Sequence, residues 1–209
     1  MAQNKVLYAV GKALLMPFYK MLYRFKVKNK GAVPAEGGVI LASNHMSYAD
    51  PVLLGLSEKR RLYFMAKEEL FHNKFAAAVI RALGAFPVQR GAGDGKAIKT
   101  GEDILCEGNV MTIFLEGTRT KTGELLRPRS GCALLAQQTR LPVVPCCITK
   151  RDFKHIFSKT IIHFGDPLSP EQLGFTTEGG RRELKNATNM IMDEIRRMRE
   201  EDAKELNKG

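Results

Sequence analysis

The 209-residue sequence contains no tryptophan, and only 8% of its residues are aromatic. That is little material for the stacking platforms on which single-stranded nucleic acids bind, and no recognised nucleic-acid-binding module is present either. Long hydrophobic runs are missing as well. The longest uncharged stretch before residue 30 is Ala13–Tyr19, bounded by Lys12 and Lys20. A membrane-spanning helix needs about 20 mostly apolar residues, so no span is expected there. Lys12 also splits the apolar core that a signal peptide would need, and no small-x-small cleavage site follows. The four cysteines, Cys106, Cys132, Cys146 and Cys147, form no C-x-x-C pair and have no Cys/His spacing suited to zinc. They read as small buried hydrophobes in a reducing compartment.

Acidic residues are scarce in one place. Residues 1–30 hold Lys5, Lys12, Lys20, Arg24, Lys26, Lys28 and Lys30 and no acid, so they carry +7 of the net +11. From Glu178 to Gly209, eight basic residues balance eight acidic ones. The positive field is therefore mainly N-terminal and favours an anionic partner. At 100° per residue Lys5, Lys12, Lys20 and Arg24 share a sector about 120° wide, and Val6, Val10, Leu14, Leu15, Phe18, Leu22 and Phe25 fill most of the rest. Such a helix suits the headgroup layer of an anionic membrane, or packs on the chain's own core with its lysines in water. Pro17 is expected to kink or divide it.

With 44% apolar and 26% charged residues the chain has the composition of one folded domain. Beyond the N-terminal segment, short apolar runs alternate with helical patterns. Gly38–Ala42, Leu62–Ala66, Phe86–Val88, Val110–Leu115, Val143–Thr149 and Thr160–Phe164 read as strands. Helices are expected over 52–56, 75–83, 95–107 and 130–139, with a long one from about residue 178. This alternation predicts an α/β fold with a mixed, largely parallel sheet flanked by helices. The expected division is 1–30, an amphipathic membrane-associating helical anchor, and 31–209, the α/β domain.

Four segments could carry chemistry. Ser43-Asn44-His45-Met46-Ser47-Tyr48-Ala49-Asp50-Pro51 leads from a strand to a helix, where open α/β sheets place ligands. His45 and Asp50 are a base and its orienting carboxylate if the chain turns before the helix begins. Otherwise Asp50 is only a helix cap and His45 a surface residue. Phe114-Leu115-Glu116-Gly117-Thr118-Arg119-Thr120 ends the strongest strand with a carboxylate, a glycine and an arginine whose fork suits phosphate, although a polar turn with one salt bridge reads the same. Gly84-Ala85-Phe86-Pro87-Val88-Gln89-Arg90 is a second strand ending in arginine. Leu141-Pro142-Val143-Val144-Pro145 alone reads as an edge strand.

Together and in this order, the four segments resemble the glycerolipid acyltransferase family, specifically its 1-acylglycerol-3-phosphate acyltransferases, over Ser43 to Pro145. Lys67-Glu68-Glu69-Leu70-Phe71 and Arg129-Ser130-Gly131 look like further signatures of it. Two positions depart from the family pattern. Leu115 stands where proline is usual, and Val88-Gln89-Arg90 replaces Ile-Asp-Arg, keeping the arginine and losing a carboxylate. The resemblance implies transfer of an acyl chain from a thioester, either acyl carrier protein or coenzyme A, to the hydroxyl of lysophosphatidic acid. The alternatives are glycerol 3-phosphate or another lysolipid as acceptor and, from a different class, a non-catalytic peripheral lipid-binding protein. His45 and Asp50 would be catalytic. Lys67, Arg90, Glu116, Gly117 and Arg119 would form the acceptor-phosphate site. Neither a metal nor a cofactor beyond the acyl co-substrate is implied, and nucleic acid is not an expected partner. The expected location is peripheral, on the cytoplasmic face of the cell membrane. Backbone amides near the turn after His45 are candidate oxyanion donors, which the sequence does not single out, and Lys59-Arg60-Arg61 is a candidate surface for an acidic carrier.

Overall fold

In a computed structural model of the protein, residues 5–88, 95–155, 157–176 and 179–208 are described. A seven-stranded sheet runs through the chain. Its strands are β1 (Phe25–Lys28), β2 (Val39–Ser43), β3 (Leu62–Lys67), β4 (Ala85–Val88), β5 (Val110–Phe114), β6 (Val143–Lys150) and β7 (Thr160–Phe164), in the spatial order β1-β7-β6-β2-β5-β3-β4. Every neighbouring pair is parallel except β6 with β7. The helices are α1 (Lys5–Tyr23), α2 (Asp50–Ser57), α3 (Lys74–Ala82), α4 (Gly95–Cys106), α5 (Gly131–Thr139) and α6 (Arg181–Lys208). A 3₁₀ turn spans Glu68–Phe71. The expected mixed, largely parallel sheet flanked by helices is the fold observed.

Strand alternation divides the core in two. Val39 and Leu41 of β2 face a layer containing Leu53, Leu54 and Leu56 of α2, while Ile40 and Ala42 face Leu135 of α5 and Ile191 and Ile195 of α6. Complete burial of each such leucine or isoleucine contributes about 1.5–3 kcal/mol. The adjacent Cys146 and Cys147 follow the same rule, each fully buried on opposite faces of β6. At Gly84, with φ of +91°, a Cβ would meet the Leu62 carbonyl oxygen at 2.1 Å. Only glycine lets α3 turn so tightly into β4.

The N-terminal region differs from expectation in three ways. Residues 25–28 leave the helical segment and form β1, which pairs with β7. Arg24 breaks the helix with φ of 43°, and Lys28 is then drawn to Asp202 and Glu205 of α6, each bond under 3 Å. α1 also continues through Pro17 rather than dividing there. Finally, Lys12 does not join a solvent-facing lysine sector. It is half-buried toward α2 and donates to the Glu58 carbonyl. The face of α1 turned away from the domain is instead apolar, with Val10 49%, Leu14 72%, Phe18 53% and Met21 67% exposed. No described helix is long and apolar enough to cross a membrane.

Candidate active site

Strand β2 ends at Ser43, and the loop to α2 lies at the carboxyl edge of the parallel strands. Asn44 fixes the start of this loop by acting as an extra strand residue. Its amide donates to the Ile148 carbonyl at 3.0 Å and its oxygen accepts the Ile148 N–H at 2.8 Å. The chain then turns back, so that His45 Nδ1 lies 2.8 Å from Asp50 Oδ2. Asp50 is fully buried, and its carboxylate also accepts the Met46 N–H at 2.6 Å, the Ser47 N–H at 2.7 Å and the Ser47 hydroxyl at 2.8 Å. Four donors therefore compensate the buried charge. Asp50 is the first residue of α2 and reaches backward, while the cap position Ala49 makes no side-chain bond.

The imidazole is held on its face as well. Its ring stacks on Phe114 at the end of β5, with centroids 3.9 Å apart and planes 14° apart. With Nδ1 directed at a carboxylate, the hydrogen belongs on Nδ1 and Nε2 is left as the basic nitrogen.

The loop after β5 is tied to the same residue twice. Glu116 Oε1 accepts the His45 N–H at 3.0 Å, and the Thr120 N–H donates to the His45 carbonyl at 3.0 Å. Glu116 Oε2 also accepts the Leu126 N–H at 3.0 Å. Only 3% exposed, the Glu116 carboxyl is pushed above the usual carboxylate range by burial, an effect partly offset by those two N–H donors. Glu116 thus braces two loops from within rather than facing an anionic substrate. Gly117 has φ of +67°, and a Cβ there would meet the Arg129 side chain at 2.8 Å, so glycine serves both the turn and the passage of that arginine. The Arg119 guanidinium lies over the Tyr48 ring, 3.3 Å from its centroid.

Lys67 ends β3 at the same sheet edge and is exposed. Arg90 lies outside the described residues. His45, Asp50, Glu116, Gly117 and Arg119 are thus brought to one place, and Lys67 shares their edge.

Two groups of candidate donors already have partners within the chain. Among the candidate amides near the turn after His45, those of Met46 and Ser47 are both taken by Asp50. Arg60 and Arg61 sit at the opposite, amino-terminal edge of the sheet and are occupied there. Arg60 donates to the carbonyls of Pro34, Gly37 and Gly108 at 2.6–2.7 Å. Arg61 lies over Tyr8 and Tyr63 and donates to the carbonyls of Arg81 and Ala82. Four residues of the site lie in the segments singled out from sequence but were given no role there: Asn44, Ser47, Tyr48 and Phe114. For Ser47 a signal existed, because Ser47-x-x-Asp50 has the spacing of a capping box, whose carboxylate reaches back to the first residue's N–H.

Comparison with known proteins follows this geometry. The family model described as Acyltransferase matches residues 24–149. The 1-acyl-sn-glycerol-3-phosphate acyltransferase of Bacillus subtilis (strain 168) is 33% identical over 181 residues, covering 79% of this chain and 89% of that protein. The chain belongs to the acyltransferase family. It is an enzyme of that family. A second acyltransferase relative, the 1-acyl-sn-glycerol-3-phosphate acyltransferase of Streptococcus pneumoniae, is 27% identical over 166 residues, and the match spans 61% of its length. The acyltransferase fold itself is shared with the crystal structure of the 1-acyl-sn-glycerophosphate (LPA) acyltransferase PlsC from Thermotoga maritima. That match has a TM-score of 0.70 and 22% identity, and it covers 96% of this chain and 83% of the other.

Proposed function

We propose that this acyltransferase moves a fatty acyl group from a thioester, acyl carrier protein or acyl-coenzyme A, to the sn-2 hydroxyl of lysophosphatidic acid, yielding phosphatidic acid. The observation that carries this reading is the His45–Asp50 pair, closed at 2.8 Å beside the Glu116–Thr120 loop. Nε2 of His45 accepts the hydroxyl proton as the acceptor oxygen attacks the thioester carbonyl. Asp50 holds the tautomer and stabilises the imidazolium that forms. Collapse of the tetrahedral intermediate expels the thiolate, which takes the proton back from His45 and leaves as thiol. Arg119, Lys67 and Arg90 are the cations assigned to the acceptor phosphate, and they position its hydroxyl at the base.

Two features favour a lipid acceptor over glycerol 3-phosphate. A cavity of about 440 Å³ lies between α1, α2 and α3, lined by Leu15, Val52, Leu56 and Leu83, and it includes Pro51, the neighbour of Asp50. The uncovered apolar face of α1 is suited to lying in a bilayer surface, with the exposed Lys20 and Arg24 at the headgroups. Helix α1 (Lys5–Tyr23) then serves as a peripheral anchor on the cytoplasmic membrane face, while residues 25–28, as β1, belong to the catalytic α/β unit rather than to the anchor.

The test is a panel of lysophosphatidic acid, glycerol 3-phosphate and uncharged lysolipids, each assayed with both thioester donors. Phosphatidic acid formed from lysophosphatidic acid is the expected product. Turnover confined to another acceptor would replace this reading.

A further inference from the structure

Tyr48 stands between the two catalytic candidates in sequence and is 75% exposed, more than any other large hydrophobic or aromatic side chain among the described residues. Burial therefore gives it no role in the core. Among the described residues, its one side-chain partner is the guanidinium of Arg119, stacked on the ring at 3.3 Å. Arg119 in turn has no carboxylate or carbonyl partner among the described residues. All five of its N–H donors remain available to a ligand.

The stack is not a chance meeting of two mobile side chains. Tyr48 belongs to the loop closed on itself by Asp50, through the Met46 N–H, the Ser47 N–H and the Ser47 hydroxyl. Arg119 precedes Thr120, whose N–H is bound to the His45 carbonyl, and follows Glu116, which holds the His45 N–H. Both loops are thereby fixed against the same histidine, and the ring and the guanidinium meet across the gap between them. Arginine otherwise has many rotamers to lose when it binds an anion. A flat aromatic platform orders the guanidinium before the ligand arrives while leaving its hydrogen-bonding edge open.

We propose that Tyr48 is a positioning residue for Arg119: its ring holds the guanidinium at the mouth of the site, so that the planar fork meets the phosphate monoester of the acceptor and sets the acceptor hydroxyl at His45. The proposal rests on the acyl-transfer reading of this site and names the residue that determines acceptor fit within it. The ring face is what matters, not the hydroxyl and not hydrophobicity. Phenylalanine preserves the face; leucine preserves only the apolar surface.

The experiment compares Tyr48→Phe, Tyr48→Leu and Arg119→Ala, and combines Tyr48→Leu with Arg119→Ala. Two readouts are used: equilibrium binding of micellar lysophosphatidic acid without donor, and steady-state turnover at saturating donor. Tyr48→Phe should bind and turn over within about twofold of the parent protein. Tyr48→Leu should weaken binding and raise KM for lysophosphatidic acid roughly three- to tenfold with kcat little changed. In the Arg119→Ala background, Tyr48→Leu should add less than about twofold. Equal behaviour of the Leu and Phe variants, or a full additional loss in the Arg119→Ala background, would overturn the proposal. An exposed tyrosine serving only as a bilayer contact gives the former result, because leucine inserts as well. Absence of turnover in the parent protein would count against the acyl-transfer reading, while the binding series would still decide the role of Tyr48.

Discussion

Nδ1 of His45 lies 2.8 Å from Oδ2 of Asp50, although an offset of five residues on a straight helix would separate the two side chains by about 140°. The chain solves this by turning before α2 begins and using the carboxylate to fasten the turn. Asp50→Asn retains the shape. Its amide nitrogen can donate to the Ser47 hydroxyl where Oδ1 now accepts, leaving the oxygen for the two backbone N–H groups. What is lost is the negative charge opposite the imidazolium. Turnover is expected to fall by a factor of about 10²–10⁴ with little change in the thermal midpoint. A loss below tenfold, with the fold intact, would remove Asp50 from the chemistry.

Glu116 makes a contrasting case. Both of its oxygens accept backbone N–H groups, from His45 and from Leu126. Glutamine supplies one acceptor and sets an NH₂ against the remaining N–H. Glu116→Gln should therefore lower stability by about 1–3 kcal/mol, together with activity, in thermal or urea unfolding. If Glu116 instead faced the acceptor phosphate, the neutral variant would bind the acceptor better and unfold at the same temperature.

The cysteines give a prediction in alkali. Burial pushes the Cys132 and Cys147 thiols up to about 12 from an ordinary value of 9.0. Between pH 9 and 12 the unfolded chain loses these protons while the folded one keeps them. Their contribution is thus complete below pH 9 and is lost as pH rises toward 12. Unfolding midpoints in denaturant should drop across that window, and replacing either thiol with alanine should flatten the drop. At pH 8 a thiol reagent should modify exposed Cys106 in the folded protein and all four cysteines in denaturant.

The outer face of α1 is tested by charge. Leu14→Glu with Phe18→Glu places two carboxylates where the side chains are 72% and 53% exposed, so stability should hardly change. Binding to vesicles containing anionic lipid should fall at least tenfold, and turnover of vesicle-embedded acceptor should fall more than that of micellar acceptor. Unchanged vesicle binding would show that this face does not meet the bilayer.

Much of the fold was legible because its signals are local. The VMTIF run of β5, the VILAS run of β2 and the Gly84 and Gly108 stops each mark an element within one or two residues of its place. β1 was not legible. It contains only Phe25–Lys28, two of them lysines, and it becomes a strand by pairing with β7 some 135 positions away. The site divides in the same way. His45, Asp50 and Arg119 were marked by residue type and spacing. The inward turn of Glu116 and the stacking of His45 on Phe114 depend on β2 and β5 being neighbours, which no local pattern states. The structural tie made by Arg60 was hidden for the same reason: the three carbonyls that occupy its guanidinium come from segments before β2 and β5.

The most direct test is turnover of lysophosphatidic acid and an acyl thioester by purified His45→Ala, measured beside its thermal unfolding. Nothing else in the loop replaces the basic nitrogen, so phosphatidic acid formation should fall by at least a thousandfold while the protein melts within a few degrees of the parent. Turnover near the parent rate in a folded His45→Ala protein would contradict the account.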